Sequence, residues 1–495
     1  MSKTLPGLLR ERAAADPGRV AMTVHGAGSL TFGEWEHRAR GVARALRGRG
    51  IGRGDRVGLV FGNGDWLDYA VAFFGVLDAG AVAVPLSDRL AAADVDAMLA
   101  HCGATAVLRP GEVPYAEGAE SGGDGGCGDL EPVGPGDPAQ ILYTSGTTGR
   151  PKGVAATHAN LAHGCGGRRR PFTHSRHLAH AFPIGTNAGQ WMLVNAVDAH
   201  PEVVTLPRFT PGRFAALIEH YRAGTVFVVP AMAIEMLAAG VQARHDLSSV
   251  LLLGSAAAPL PARVAGDLCA AFPNATITNY YTSTEAAPAQ TVMIYDPERP
   301  SSVGRPVSGG AVRIAAADGG ALPPGTTGEV WMRSPAATRA YYGDEAATGE
   351  VWMRSPAATR AYYGDEAATG EVFRGGWVRM GDLGYLDDDG YLYLVDRESD
   401  VIKSGAYKVS TIHVEEAVHR HPGVVEAAAF GVPHPTLGKA VAVAVVGTVA
   451  HEELRIFLKD LLAPHELPVR LITLDALPRN NGGKVDKRSL REVAP

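Results

Sequence analysis

The sequence predicts an α/β protein: a large N-terminal domain of parallel α/β sheets with a β-barrel-like subdomain, then a small α+β C-terminal domain. Three observations carry that prediction. Between residues 31 and 281, short Val/Leu-rich runs alternate with helix-patterned stretches, the pattern of parallel strands covered on both faces by helices. Past residue 310 the pattern turns to short alternating segments with turn signals, as in antiparallel β structure. From residue 397 onward, apolar runs and a helical period recur on the scale of a small separate domain.

In chain order, the strand-like runs are RVGLVF at 56–61, AVAVP at 81–85, TAVL at 105–108, QILYT at 140–144, TVFVVP at 225–230 and SVLLLGS at 249–255. Helix-patterned segments lie between them at 32–47, 66–79, 213–220 and 261–271. The stretch 111–138 is rich in Gly, Pro, Asp and Glu and has no apolar period, so it reads as a surface linker. Within it Gly123, Gly125 and Gly128 spell G-x-G-x-x-G, but no strand precedes it and no helix follows, so it is no dinucleotide fingerprint. Further on, an acidic turn at 387–390 precedes the alternating YLYLV at 391–395. EAAAFGV at 426–432, AVAVAVV at 440–446 and a helix near 452–462 complete the second domain. The division falls at 1–396 and 397–495.

Composition narrows the function. With 46 Lys plus Arg against 52 Asp plus Glu the formal charge is −6, the wrong sign for a general nucleic-acid binder. A hydrophobic content of 46% with 20% charged residues suits a large folded core. The most apolar stretch, 69–86, is broken by Gly75, Asp78 and Gly80, which argues against membrane insertion. The N-terminal MSKTLPGLLRERAAADPGR carries charges where a leader needs an apolar run. The expectation is a soluble cytoplasmic protein. Cys102, Cys127, Cys165 and Cys269 form no C-x-x-C pair, so neither a disulfide framework nor a thiolate zinc site is suggested. His158, His163, His174, His177 and His180 cluster beside Arg168, Arg169 and Arg170, whose charges would repel a metal.

One feature is unusual. Residues 328–348 and 349–369 both read GEVWMRSPAATRAYYGDEAAT. Two copies do not make a solenoid, which needs at least three. A sheet slot takes one GEVWMR strand, so the other copy is expected to be extruded as a surface insertion, at small loop-closure cost.

The strongest chemical signal is QILYTSGTTGRPKGV at 140–154. An apolar strand runs into Thr144, Ser145, Gly146, Thr147, Thr148 and Gly149, with Lys152 close behind. Glycines let backbone N–H groups approach a polyphosphate, hydroxyls add donors and the lysine adds charge. The spacing is not that of a Walker A loop.

YTSGTTGRPKG resembles the phosphate-binding signature of the adenylate-forming superfamily, which comprises acyl- and aryl-CoA ligases, nonribosomal adenylation domains and luciferases. The resemblance extends along nearly the whole chain: LLLGSAAAPL (251–260), NYYTSTE (279–285), RMGDLG (379–384), DRESDVIKSGAYKVS (396–410) and PRNNGGKVDKRSL (478–490) occur in the family's order. It implies ATP- and Mg²⁺-dependent activation of an acid as an acyl adenylate, then transfer to CoA. By that resemblance Glu285 would hold Mg²⁺ and Thr284 would contact the α-phosphate. Asp382, with Arg397 nearby, would bind the ribose. Ala256, Ala257, Asn279, Tyr280 and Tyr281 would flank adenine, and Lys484 would reach the α-phosphate. A mobile C-terminal domain would pivot at Ser399, bringing Gly405 and Ala406 to line an acceptor tunnel. The acid pocket would draw on Thr186, Asn187, Gly189, Gln190, Ala231 and Ala257.

Departures from the family pattern bear on the acid and the acceptor. Ala406 replaces a glycine, Gly185 and Thr186 replace an aromatic residue and a histidine, Thr282 replaces a glycine and Met380 a threonine. No acid occurs at 182–187, which disfavours an α-amino acid substrate. The alternatives are a carrier-protein or amine acceptor, activation of a small oxyacid such as nitrite, and a non-catalytic nucleotide binder.

Overall fold

The computed structural model describes residues 3–114, 132–145, 151–307, 309–335, 340–341, 372–374, 376–405, 407–480 and 483–493. Strand Arg56–Phe61 pairs in parallel with Val82–Ser87 on one side and Ala106–Leu108 on the other. A second parallel set runs through His177–His180, Thr225–Val228, Leu252–Ser255 and Thr276–Tyr281. Helices Trp66–Asp78 and Asn187–Asp198 feed Phe73, Val76, Met192 and Val197 into one core that Val57 and Leu59 of the first sheet share with Leu178 and Phe227 of the second. That position explains the apolar 69–86 run: it is a helix buried along most of its length followed by a core strand. Among the described residues no helix is long and apolar enough to cross a membrane.

The run at 140–144 enters the first sheet in parallel, with Gln140 opposite Ala83 of Val82–Ser87, but its next partner is antiparallel. Strand Pro138–Ser145 turns straight back as Pro151–Thr157 in an antiparallel hairpin. A parallel return needs a crossover of a dozen or more residues, and the chain has five here. Downstream, Ala311–Ala315, Gly328–Arg333, Trp377–Leu386 and Leu392–Arg397 are antiparallel neighbours. They join the second parallel set through Thr291–Ile294 and Ser302–Pro306. The first copy of the repeat supplies Gly328–Arg333, with a partner on each side. The second copy lies outside the described residues, as do the 123–128 glycine pattern and most of the 111–138 stretch.

The small C-terminal domain carries its own sheet and its own core, in which Val414, Val418, Val441, Val443, Leu454 and Leu458 pack together. It meets the large domain at named contacts. Arg263 Nη1 donates to the carbonyls of His419 and His421 at 2.9 Å each, and Gly483 lies against Val229, whose Cγ2 would stand 3.9 Å from an added Cβ. At the junction, Thr411 donates from its backbone N to Asp396 Oδ2 (2.6 Å) and from Oγ1 to Asp396 Oδ1 (3.0 Å). Ser410 Oγ donates to the Val395 carbonyl at 2.6 Å. Burial pushes the Asp396 carboxyl up to about 6, against the opposing pull of Thr411 and Lys487.

Candidate active site

Successive side chains of a strand point to opposite faces, and Thr276–Tyr281 uses both at its C-terminal end. On one face the Tyr281 hydroxyl donates to Asp382 Oδ2 at 2.6 Å. Asp382 and Arg397 are direct cross-strand partners, and Arg397 Nε donates to Asp382 Oδ1 at 3.2 Å. The Asp382 carboxylate is thus buried and held from two sides. Burial opposes the Arg397 charge, but Asp382, Asp400 and Tyr281 outweigh it and raise its pKa. Burial, then the adjacent Asp382, keep Tyr281 protonated and therefore a donor.

Lys484 approaches these charges from the other domain. Its loop is a tight turn: Asn480 N donates to the Lys484 carbonyl (2.8 Å) and Lys484 N to Asn480 Oδ1 (3.1 Å). Gly483 takes φ 78° there, a conformation in which a side chain is strained. The Lys484 side chain is exposed to solvent, yet surrounding protein and then Arg397 press its pKa down, while Asp382 and Glu285 hold it up. It is therefore an exposed cation whose surroundings include both carboxylates.

Glu285 and Thr284 sit half-buried in a compact turn after the strand. Thr282 Oγ1 donates to the Ala289 carbonyl (2.6 Å) and Ala286 N donates to Ser283 Oγ (3.1 Å). The hydroxyl of Thr282 thus takes a structural part, and Met380 receives the Ser283 hydroxyl at its sulfur, 3.8 Å away. Val154 of the Pro151–Thr157 strand packs with Ala286 and Ala289, and Asn160 Nδ2 donates to the Ala287 carbonyl at 3.1 Å. These contacts seat the phosphate-loop hairpin beside Glu285. Thr144 pairs with Lys152 across that hairpin, and Ser145 with Pro151. Gly146, Thr147, Thr148 and Gly149 lie outside the described residues.

Two polar atoms nearby fit a nucleotide base. Asn279 Oδ1 and Ser255 Oγ are buried with no partner among the described residues, and a buried unpaired polar atom costs about 1–3 kcal/mol. An exocyclic amine would satisfy the amide oxygen. Ala257, in the adjoining loop after Ala256, takes φ 76° although it is not glycine, a strain of about 1–2 kcal/mol of the kind that clusters at ligand sites.

The acid-pocket candidates divide. Thr186 caps the Asn187–Asp198 helix, donating to the Pro183 carbonyl (2.8 Å) and accepting from Gly189 N (3.0 Å). Gly189 has no room for a side chain, since a Cβ would stand 2.3 Å from the Pro183 oxygen. Gln190 is 4% exposed; Tyr69 donates to its Oε1 (2.7 Å) and its Nε2 donates to Gln140 Oε1 (2.6 Å). Thr186, Gly189 and Gln190 therefore build and anchor the start of the helix. Asn187 is half-buried in the same turn and Ala231 is buried in the Pro230–Ala238 helix. Ser399 follows Arg397 closely, and Gly405 (φ 60°) tips the Ile402–Ser404 and Tyr407–Val409 hairpin, while Ala406 lies outside the described residues.

Sequence reasoning missed the other face of the strand. Tyr280 turns away from Asp382 and packs with Trp191 and Phe227. The available signal was the strand period: of two adjacent tyrosines only one can share the face of Asp382.

Comparison with known proteins identifies the family. The family model described as AMP-binding enzyme matches residues 9–342, and that of the AMP-binding enzyme C-terminal domain matches 413–484. A feruloyl-CoA synthase from an Amycolatopsis species is 32% identical, covering 97% of each chain. Among solved structures, ATP-bound MatB from Rhodopseudomonas palustris superposes with a TM-score of 0.84 at 28% identity over 100% of this chain and 99% of that one. The amide bond synthetase McbA from Marinactinospora thermotolerans gives 0.80 at 27% identity over 99% of each. The chain belongs to the AMP-binding enzyme family within the adenylate-forming superfamily and is an AMP-forming ligase.

Proposed function

We propose that this protein activates a carboxylic acid with ATP, releasing pyrophosphate, and passes the acyl group to CoA, releasing AMP. The observation that carries the reading is a gathering of charge: Asp382 is held by Tyr281 and Arg397, and Lys484 of the small domain lies near enough to feel Asp382 and Glu285. In the first step a carboxylate oxygen bonds to the α-phosphorus as the bond to the pyrophosphate oxygen breaks. Two anions must meet, so catalysis is mainly charge neutralisation and positioning. Lys484 would steady the charge building on the α-phosphate. Asp382, oriented by Tyr281 and Arg397, would accept from the ribose hydroxyls, and Asn279 would accept from the adenine amine. Thr284 would donate to the α-phosphate. Glu285 offers the hard oxygen donor that Mg²⁺ prefers, and the ion when bound would supply further neutralising charge. We take 1–396 and 397–495 as the two lobes and Ser399 as the pivot between half-reactions.

A second reading keeps the adenylation step and gives the acyl group to an amine. The full-length likeness to an amide bond synthetase and the alanine at 406 favour it. The test is ATP–pyrophosphate exchange with a panel of acids, followed by AMP release with CoA and with simple amines. Exchange without any acid requirement sinks the proposal; AMP release stimulated by amines and not by CoA selects the second reading.

A further inference from the structure

We infer that the acid this site takes is flat and aromatic, received by a wall that Tyr280 and Trp191 form. The inference rests on the ligase reading and deepens it. Three rings meet behind the strand Thr276–Tyr281. Trp191 and Phe227 are edge-to-face with centroids 4.8 Å apart, and Tyr280 lies 5.8 Å from Trp191 and 5.7 Å from Phe227. Phe172 backs Phe227 at 5.7 Å. Phe227 is fully buried, whereas Trp191 and Tyr280 are half-buried and give the cluster what accessible surface it has.

The wall has no slack. Beneath it is Gly254, where even a Cβ would stand 2.3 Å from Phe227 Cε1 and 3.0 Å from Tyr280 Cε2. A close-packed floor of this kind cannot open to let an alkyl chain run inward. A planar ring, by contrast, can lie against aromatic faces and edges in the offset or perpendicular geometries such groups prefer. Location ties the wall to the chemistry. Tyr280 is the chain neighbour of Tyr281, which holds Asp382, and Trp191 is on the first turns of the helix that Thr186 caps.

The test is ATP–pyrophosphate exchange with benzoate, 4-hydroxycinnamate, malonate, octanoate and palmitate. The wild type should favour an aryl acid over each of the others by about tenfold or more in kcat/KM, the size of one good aromatic contact. Tyr280→Ala should remove most of that preference while leaving the KM for ATP within about twofold, and Tyr280→Phe should keep it. Circular dichroism and the thermal midpoint check that each variant is folded, and Trp191→Leu provides a second route to the same readout. A wild type that prefers octanoate, palmitate or malonate overturns the inference and leaves the ligase reading standing. So does an aryl preference unchanged in folded Tyr280→Ala and Trp191→Leu. Absence of exchange with every acid overturns both.

Discussion

The two faces of the strand Thr276–Tyr281 are built on opposite principles. Tyr281 looks onto charges: Asp382, Arg397 and, from the other domain, Lys484 and its coupling to Glu285. Tyr280 looks onto rings that touch only by van der Waals and quadrupole contact. On the charged face a single atom of given identity at a given place sets the outcome, because a charge in a crevice interacts strongly with whatever is added. On the aromatic face volume and flatness set it, and several residue types could serve. Under the proposed function, the first face would serve adenylation and the second the choice of acid.

That contrast fails or sharpens under measurement. The largest effect is expected from Lys484→Ala, which should slow adenylation at least ~100-fold, as when one preorganised electrostatic stabiliser is removed; exchange near the wild-type rate would break the comparison. Asp382→Ala should lower kcat/KM for ATP by about 10- to 100-fold, since it strands Arg397 and Tyr281 and removes an ionised acceptor. An equal loss in the apparent KM for the acid would show that the faces are not separate. Gly254→Ala should destabilise the fold by about 1–3 kcal/mol through overpacking against Phe227, read as a lower urea midpoint, with acid KM disturbed more than ATP KM.

Acidity separates the faces again. His180, the cross-strand partner of Phe227, is fully buried, and burial lowers its pKa to about 3. Its unfolded-state imidazole binds a proton below about 6.5 while the folded one does not, so its contribution to stability is lost as pH falls from there towards 3. Asp396, at the domain junction, has a pKa raised to about 6. It takes up its proton earlier in the folded state than in the unfolded, so its contribution grows as pH falls from 6 towards 4. Urea unfolding of His180→Gln should therefore gain on the wild type by about 1.4 kcal/mol per pH unit between pH 6 and 4; a difference independent of pH would sink the assignment. The smallest effect is expected from deleting residues 349–369. The first copy already fills the strand position, so stability should move by no more than about 0.5 kcal/mol.

The division between the faces is also a division in what could be read from the letters. The parallel strands at 56–61 and 225–228 announced themselves as Val/Leu runs, and the charged residues of the site stood in ordered motifs, Glu285 in NYYTSTE and Asp382 in RMGDLG. The antiparallel return Pro151–Thr157, which opens on Pro, Lys and Gly, and the strands Val20–Val24 and Glu202–Thr205, where polar residues interrupt or bound a short apolar run, were not legible, because such segments do not separate strand from loop. Nor was the aromatic wall. Trp191, Phe227 and Tyr280 are far apart in sequence and belong to a helix and two strands, so only the packed fold brings them together. Thr186 and Gln190 were named for their place in a motif, but their hydrogen bonds tie them to a helix start and a buried amide chain.

The junction at Asp396 has a consequence for turnover. Two elements on opposite sides of Ser399 are stitched together there by Thr411 and Ser410. Under the proposed function, a swing of the small lobe about Ser399 would break and remake those stitches in each cycle, so part of the cost of the motion would fall on this seam.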